Sequence, residues 1–197
     1  MIGTLKKMLS VMLVSALVGF ASCGSRETGQ EAGGQSPVPK QNVRPPSIDI
    51  HTATLMGDLK AIGQHIQAGT DLNEREPALG STPLISAAVF GKTDVAVALI
   101  EAGADVNLQN NEGSTALHSA AFLCRTEIVK ALLENGADKS LMNSYGSTPL
   151  ESVLAPWDAV KPVYDIFSRD LGPLGLKLDY GYIEQTRPVI AGMLAQD

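Results

Sequence analysis

The strongest constraint on the fold of this chain is an internal repeat with a period of 33 residues. Residues 80–112 and residues 113–145 align without a gap, and about half of the aligned positions are identical. Several other positions hold similar side chains, such as Lys92 opposite Arg125. A period of this length is typical of stacked repeat arrays, in which each unit packs against its neighbours. We therefore expect a solenoid rather than a fold around one central core.

Each repeat carries the same signals for a pair of helices. Thr82 and Thr115 precede apolar segments and can accept hydrogen bonds from the free N–H groups of a first helical turn. Pro83 suits the first position of a helix, because the N–H group that it lacks has no helical partner there. Gly91 can turn the chain between two helices, and Gly103 can end the second helix. The pattern predicts two short helices in every repeat.

The segment GSTPL…AA…G…LIEAGADVN, which recurs in phase, resembles the ankyrin repeat. A further unit opens at Gly146, and Gly57 and Gly69 mark an earlier unit at an offset of 34 residues. The resemblance covers residues 48–155 and implies an all-α fold. We expect an ankyrin-repeat solenoid of about four helix-pair repeats, followed by a divergent helical C-terminal cap over residues 156–197.

The predicted cap departs from the repeat pattern at its prolines. Pro156 is expected to stop the helix of the fourth unit, and an apolar face follows over residues 162–171. Because Arg187 precedes a proline, which disfavours the α conformation, we expect two short helices over residues 179–186 and 188–195. The cap is expected to pack onto the fourth repeat.

The first 22 residues have the order of a secretion signal. Lys6 and Lys7 precede an apolar run over residues 8–21, which is short for a membrane span. The run ends at Cys23 and resembles the bacterial lipoprotein box, although a Phe stands where the box usually has Leu. The sequence predicts lipidation of Cys23, and the alternative is an ordinary signal peptide with an incidental cysteine.

Residues 23–47 are rich in Gly, Pro, Ser and Gln and have almost no apolar content, so we expect a flexible tether. A tether that begins at an acylated cysteine predicts a lipid-anchored protein of the cell envelope, at the periplasmic face of the outer membrane. The formal net charge of −6, without a basic cluster, argues against a nucleic-acid partner.

We find no motif that indicates catalysis, a cofactor or a metal, and therefore predict that the chain is not an enzyme. His118 has the place at which ankyrin repeats use histidine to bond the turn backbone. Cys124 replaces the glycine between two helices and is either a redox site or a tolerated small buried residue. The alternative function is a periplasmic enzyme, or a subunit of one, with its site around residues 157–179.

The resemblance implies a concave groove that binds a protein partner, lined by hairpin tips and by the residues that follow the paired alanines. Apolar side chains occupy these positions although the fold does not need them there. An apolar centre with a polar rim is typical of interfaces. The partner itself is unknown, and we expect the protein to be a monomer. The predicted partner-binding residues are Met56, Phe90, Leu123, Asn111, Glu112, Ser144 and Tyr145.

Overall fold

The computed structural model describes residues 44–196, so the predicted signal, the lipidation site at Cys23 and most of the tether lie outside the described residues. Within this range the regular structure is entirely helical, which confirms the predicted fold class. A short 3₁₀ turn follows the eighth helix, at Gly172–Leu174. The helices are α1 Ile50–Met56, α2 Leu59–Ala68, α3 Pro83–Phe90, α4 Thr93–Glu101, α5 Ala116–Phe122, α6 Thr126–Glu134, α7 Pro149–Leu154, α8 Trp157–Leu171 and α9 Tyr180–Ala195.

The helix signals that recur in the sequence act as predicted. The hydroxyl oxygens of Thr82, Thr115 and Thr148 each accept a hydrogen bond from the backbone N–H three residues further on. Gly57 and Gly91 hold positive φ angles of 71° and 64° at the turns between paired helices. These caps explain why helices of only six to ten residues begin and end in phase through the repeats.

The helices stack in two rows. The first helices of the repeats, α1, α3, α5 and α7, pack on one another in order, and α2, α4 and α6 form the second row. Paired alanines lie fully buried in the first row, where their small size lets neighbouring helices approach closely. Leu99 and Leu132 are fully buried in the second row. The core therefore runs along the stack as a continuous layer between the rows.

The loops that join successive repeats form fingers, which are linked by backbone hydrogen bonds at the same register. The N–H of Asn111 donates to the carbonyl of Leu79 at 2.9 Å, and the N–H of Ser144 donates to the carbonyl of Glu112 at 2.8 Å. Because the bonds recur with the sequence period, each finger is positioned by the one before it.

The fourth unit departs from this pattern because α8 and its 3₁₀ turn separate α7 from the helix that pairs with it. Helix α9 packs on α7 and also reaches α5 and α6. Its first turn approaches the start of α6, where the hydroxyl of Tyr182 lies 3.5 Å from Oγ1 of Thr126. The carbonyl of Gln196, which directly follows α9, accepts a hydrogen bond from Lys139 beyond the end of α6. Helix α9 thus runs parallel to α6 and takes the place of the missing second helix.

The expectation of two short helices over residues 179–186 and 188–195 was wrong. Residues 180–195 form one helix that continues through Pro188, and α8 begins at Trp157 and continues through Pro162. Both prolines are exposed, so water can reach the carbonyl groups that lose their helical partners there. Arg187, whose position before a proline predicted a break, is held in the helix by the contacts of its side chain.

Candidate functional site

The predicted partner-binding residues divide by exposure. The side chain of Met56, in the first repeat, is 66% exposed, and the side chain of Phe90, in the second repeat, is half-buried. Among the finger residues, Asn111 and Ser144 are exposed. Glu112 and Tyr145 are half-buried. Of the three predicted apolar positions at the ends of the first helices, Met56 and Phe90, in the first two repeats, are therefore the ones with accessible side chains.

Leu123 is a correction to the predicted site. It occupies the position of Met56 and Phe90 in the third repeat, but only 1% of its surface is exposed. The fourth unit covers the third repeat at this point, since α9 carries Ile183 against the neighbouring Cys124. Leu123 is part of the core and cannot contact a partner while the fourth unit stays folded.

The chain itself covers the apolar surface of the third repeat. The ring of Tyr164 on α8 stacks on Phe122 with the ring centres 4.5 Å apart, and Phe167 approaches Phe122 at 5.7 Å. The hydroxyl of Tyr164 also donates to the carbonyl of Phe122 at 2.6 Å. Burial raises the pKa of Tyr164 to about 12, so this hydroxyl keeps its proton and remains a donor.

Arg187 holds the fourth unit together, and sequence patterns did not indicate it. It is only 5% exposed. One guanidinium nitrogen donates to the hydroxyl of Tyr164 at 2.9 Å, and another donates to the carbonyl of Ala155 at 2.7 Å. The side chain thereby joins α9 to α8 and to the end of α7. A lone arginine outside the repeat pattern carries no signal that could have predicted this role.

Cationic side chains cover the glycine turns of the first two repeats. Lys92 lies over Gly57, and a methyl group built on this glycine would be 3.3 Å from the Cδ of Lys92. Arg125 lies over Gly91, and a methyl group there would be 2.9 Å from the guanidinium Cζ. No repeat of the same kind follows the third turn, so a side chain fits at Cys124.

Cys124 is a buried structural residue in the described chain. It holds a positive φ of 54°, as its alignment with glycine suggests, and its thiol lies 3.6 Å from the carbonyl of Ile183. Burial raises the pKa of the thiol to about 11, which leaves it protonated and poorly nucleophilic. These properties favour the tolerated-residue interpretation over a redox site.

Two histidines of the repeats, His118 and His65, bond backbone groups. Nδ1 of His118 accepts from the N–H of Thr115 at 3.2 Å, and Nε2 therefore donates to the carbonyl of Ser147 in the next repeat, at 3.0 Å. Burial lowers the pKa of His118. His65 is also buried, and its Nε2 lies within hydrogen-bond distance of the carbonyl oxygen of Ile48, at 2.9 Å.

The finger tips are held by side chains within each finger. The amide oxygen of Asn110 accepts from the N–H groups of Glu112 and Ser114, and Asn143 does the same for Tyr145 and Ser147. Burial, with a smaller effect from the nearby Glu112, raises the pKa of Tyr145. The tips are thus fixed in place and present polar side chains, with Tyr145 as the aromatic residue among them.

An open depression of about 400 Å³ borders the region of the alternative enzyme site, and Trp157 is the lining residue that comes from residues 157–179. Its lining is mostly apolar, with Glu184 and Arg187 as the charged residues. Since Arg187 is engaged with Tyr164 and Ala155, the two do not form a converging set of reactive groups. Within residues 44–196, no group of three or more His, Cys, Asp or Glu side chains is placed to hold a metal ion.

Known proteins share the repeats but extend well beyond them. Inversin from Gallus gallus is 36% identical over 59 residues, which is 30% of this chain and 5% of that protein. The DNA-binding protein RFXANK from Homo sapiens is 35% identical over 66 residues, covering 34% of this chain and 25% of that protein. Protein phosphatase 1 regulatory subunit 27 from Homo sapiens is 38% identical over 64 residues, covering 32% and 41%. The chain thus spans less than half the length of each of these relatives.

The fold agrees with these similarities. The crystal structure of the ankyrin repeat domain of Bcl-3 superposes with a TM-score of 0.51 and 30% identity, over 59% of this chain and 50% of that chain. The family profile described as ankyrin repeats (3 copies) matches residues 50–143. Helix pairs, in-phase glycine turns and linked fingers account for that match residue by residue. The chain therefore contains an ankyrin-repeat domain.

Proposed function

We propose that this protein is a membrane-tethered protein-binding module of the bacterial envelope. The observation that carries the binding function is the accessible row formed by Met56 and Phe90, together with fingers whose tips expose Asn111 and Ser144. These residues recur in phase on a rigid stack, so they present a continuous surface without a cost for ordering a loop. An apolar centre beside a polar rim is the arrangement that protein interfaces use.

The named relatives support a binding role. RFXANK is named as a DNA-binding protein, and another relative is named as a regulatory subunit of a protein phosphatase. A subunit name indicates a protein that acts with another protein. Because the shared segments are short, the likeness supports the class of function and leaves the partner of this chain open.

The membrane tether is the second part of the proposal and rests on the sequence of the first 47 residues. An apolar run, Cys23 and a tether follow one another in the order of a bacterial lipoprotein. We place the protein at the periplasmic face of the outer membrane, held there by lipid on Cys23. Between residues 44 and 196, none of the helices has the length and apolar character that a membrane crossing requires.

Mass spectrometry of the mature protein tests the tether. The expected result is an N-terminus at Cys23 that carries acyl chains, and two or more chains give a stable anchor. A Cys23→Ser variant should leave the membrane fraction, whereas Cys124→Ala, which changes the buried cysteine, should remain in it. An unmodified Cys23, or a mature chain that starts elsewhere, contradicts the proposal.

The binding surface is tested by replacing both open apolar residues with glutamine, as Met56→Gln and Phe90→Gln together. The melting temperature should stay close to that of the wild type, because neither side chain is part of the buried core. The proteins that co-purify with the native chain from membranes should be lost. Val189→Gln is a matched control, because Val189 is 56% exposed on α9, away from this row. A double variant that folds and still retains these proteins moves the interface elsewhere.

A further inference from the structure

The two cations that cover the glycine turns have unused bonding capacity. Lys92 lies over Gly57 and Arg125 lies over Gly91, each beside the last turn of a first helix. Neither side chain has a carboxylate oxygen within 4.0 Å among the described residues. Asp58, which neighbours the first of these turns, is engaged as the cap of α2 through the N–H of Ala61. The pair therefore carries two charges with no ionic partner in residues 44–196.

Arg125 is the less satisfied of the pair. Its hydrogen bond in the described chain is a long one, from a terminal guanidinium nitrogen to the carbonyl of Val89 at 3.4 Å. Its Nε is buried and has no partner in the structure. Burial also lowers the pKa of Arg125, as expected for a cation that has lost water without gaining a counter-charge. A buried polar atom left without a bond calls for a partner.

The fourth unit shows what a completed site of this kind looks like. Val89 and Phe122 are equivalent positions in successive repeats, and each has a carbonyl that receives a donor from the next layer. At Phe122 the donor is the hydroxyl of Tyr164, which Arg187 bonds in turn at 2.9 Å. The cation of the fourth unit is thus buried and bonded twice, whereas Arg125 is bonded once and at a long distance.

Each unpaired cation lies over a glycine that directly follows an apolar residue of the row. Met56 precedes Gly57 and Phe90 precedes Gly91, so the apolar side chain and the cation alternate along the first two repeats. The negative end of each first helix partly compensates the positive charge, but a helix end contributes only about half of an elementary charge. The surrounding domain is acidic, with a net charge of −6 for the whole chain. A pair of unpaired cations on such a domain is a local charge pattern that favours an anionic group.

We propose that Met56, Phe90, Lys92 and Arg125 form a docking site for a segment of a partner protein that presents carboxylates beside an apolar or aromatic side chain. The proposal deepens the proposed binding function and rests on it. The apolar side chain of the partner packs against Met56 and Phe90. Its carboxylates bond Lys92 and the guanidinium of Arg125, whose planar fork suits a carboxylate.

Peptide selection on the purified full chain tests the site without knowledge of the natural partner. A phage-displayed library of random 12-residue peptides is selected for binding, and the enriched peptides are synthesised and measured by calorimetry. We expect Asp or Glu to be enriched next to Leu, Phe, Tyr or Trp. A Lys92→Gln, Arg125→Gln double variant should bind these peptides at least about tenfold more weakly and with a smaller dependence on salt.

Matched controls separate this site from a general charge effect and from a loss of folding. Lys130→Gln and Lys161→Gln remove two exposed cations of the same domain and should leave peptide affinity unchanged. Arg125→Lys keeps the charge without the fork and should recover part of the affinity, which a purely structural role of Arg125 would not produce. Circular dichroism of each variant confirms that it is folded.

The outcomes distinguish this site from the wider proposal. Peptides without acidic residues, or acidic peptides that bind the double variant as well as the wild type, overturn the docking site and leave the binding function in place. Selection that enriches no peptide at all counts against both. Competition for the acidic peptides by a single-stranded oligonucleotide would show that the cations take any polyanion, and would overturn the assignment to a protein segment.

Discussion

The first three repeats and the fourth unit both place a second helix beside the first, but the chain that connects the two helices differs. In the repeats, the second helix follows the first after a two- or three-residue turn, and glycine or Cys124 makes that turn. In the fourth unit, residues 155–179 intervene before α9 reaches the equivalent place beside α6. A helix can therefore occupy the place beside α6 if its packing surface fits, whatever the length of the chain that connects it to α7.

The difference also changes the chemistry at the ends of the first helices. In the second repeat, the donor is Arg125 of the next unit, and in the first repeat Lys92 lies over the turn at Gly57. In the fourth unit, Tyr164 and Arg187 make the equivalent contacts inside a sealed aromatic cluster. Helices α8 and α9 thus cover the ends of the first helices at the third repeat, whereas the equivalent surface of the first two repeats stays accessible.

Replacing the cation of the fourth unit should have the largest effect. Arg187→Met removes two charge-assisted hydrogen bonds, so the carbonyl of Ala155 loses its partner and the hydroxyl of Tyr164 loses its donor but keeps its bond to Phe122. We expect a loss of about 3–5 kcal/mol in unfolding free energy. Urea unfolding measures the loss, and hydrogen exchange should show that α8 and α9 open first. Arg169→Met is the control, because its side chain is 69% exposed and should change stability by less than about 0.5 kcal/mol. Equal losses in both variants would refute the assigned role.

The next effect contrasts two equivalent positions at opposite ends of the apolar row. Leu123→Gln places an amide without partners in the core and should cost about 2–3 kcal/mol, whereas Met56→Gln should stay within about 0.5 kcal/mol of the wild type. Thermal and urea unfolding of both variants provide the comparison. A mild effect at Leu123 would mean that α9 does not seal the third repeat.

Exchanging the residues of two equivalent turns should have a smaller effect. Gly91→Cys forces a side chain into a turn with φ of 64° and against the guanidinium of Arg125, so we expect a loss of about 2 kcal/mol. Cys124→Gly should change stability by less than about 1 kcal/mol, because relief of backbone strain offsets the loss of a buried thiol. The melting temperatures of Gly91→Cys and Cys124→Gly, each compared with that of the wild type, test this difference. A tolerated Gly91→Cys would show that Arg125 moves freely and does not fill this turn.

The smallest effect is a dependence on pH. Burial lowers the pKa of His118 below its ordinary value of about 6.5, so the unfolded chain binds the proton more readily. Stability is then complete above this value and falls as the pH drops from about 6.5 toward the lower folded pKa. Hydrogen bonds with Thr52 and Thr148 lower the pKa values of the carboxyl groups of Asp49 and Glu151. The stability that these two carboxylates contribute is lost only at more acidic pH, below about 4.5.

A His118→Gln variant isolates this contribution. Glutamine at this position can still accept from the N–H of Thr115, as in a capping box, but it does not titrate. We expect unfolding free energies of the variant to be flat between about pH 7 and pH 5, with a loss of about 1 kcal/mol or less at neutral pH. A variant that keeps the slope of the wild type would assign the titration to another group.

The repeating part of the molecule could be predicted because its determinants are local and occur in phase. Caps at Thr82 and Thr115 and the turn at Gly91 are confirmed. The exposed position of Met56 agrees with the same alignment. Even the row of cations was present in the alignment, as Lys92 opposite Arg125, although its contacts were not apparent from the sequence.

By itself the sequence determined the period, the helix ends and the all-α stack, because capping, glycine turns and apolar spacing act within a few residues of each other. The tertiary structure decided which repeat positions stay open, since burial of Leu123 depends on α9, which lies far away in the chain. It also decided that Arg187 continues a helix through Pro188. A local preference against helix before proline is weaker than two hydrogen bonds from a buried guanidinium to groups more than 20 residues away, and only the folded chain brings those groups together.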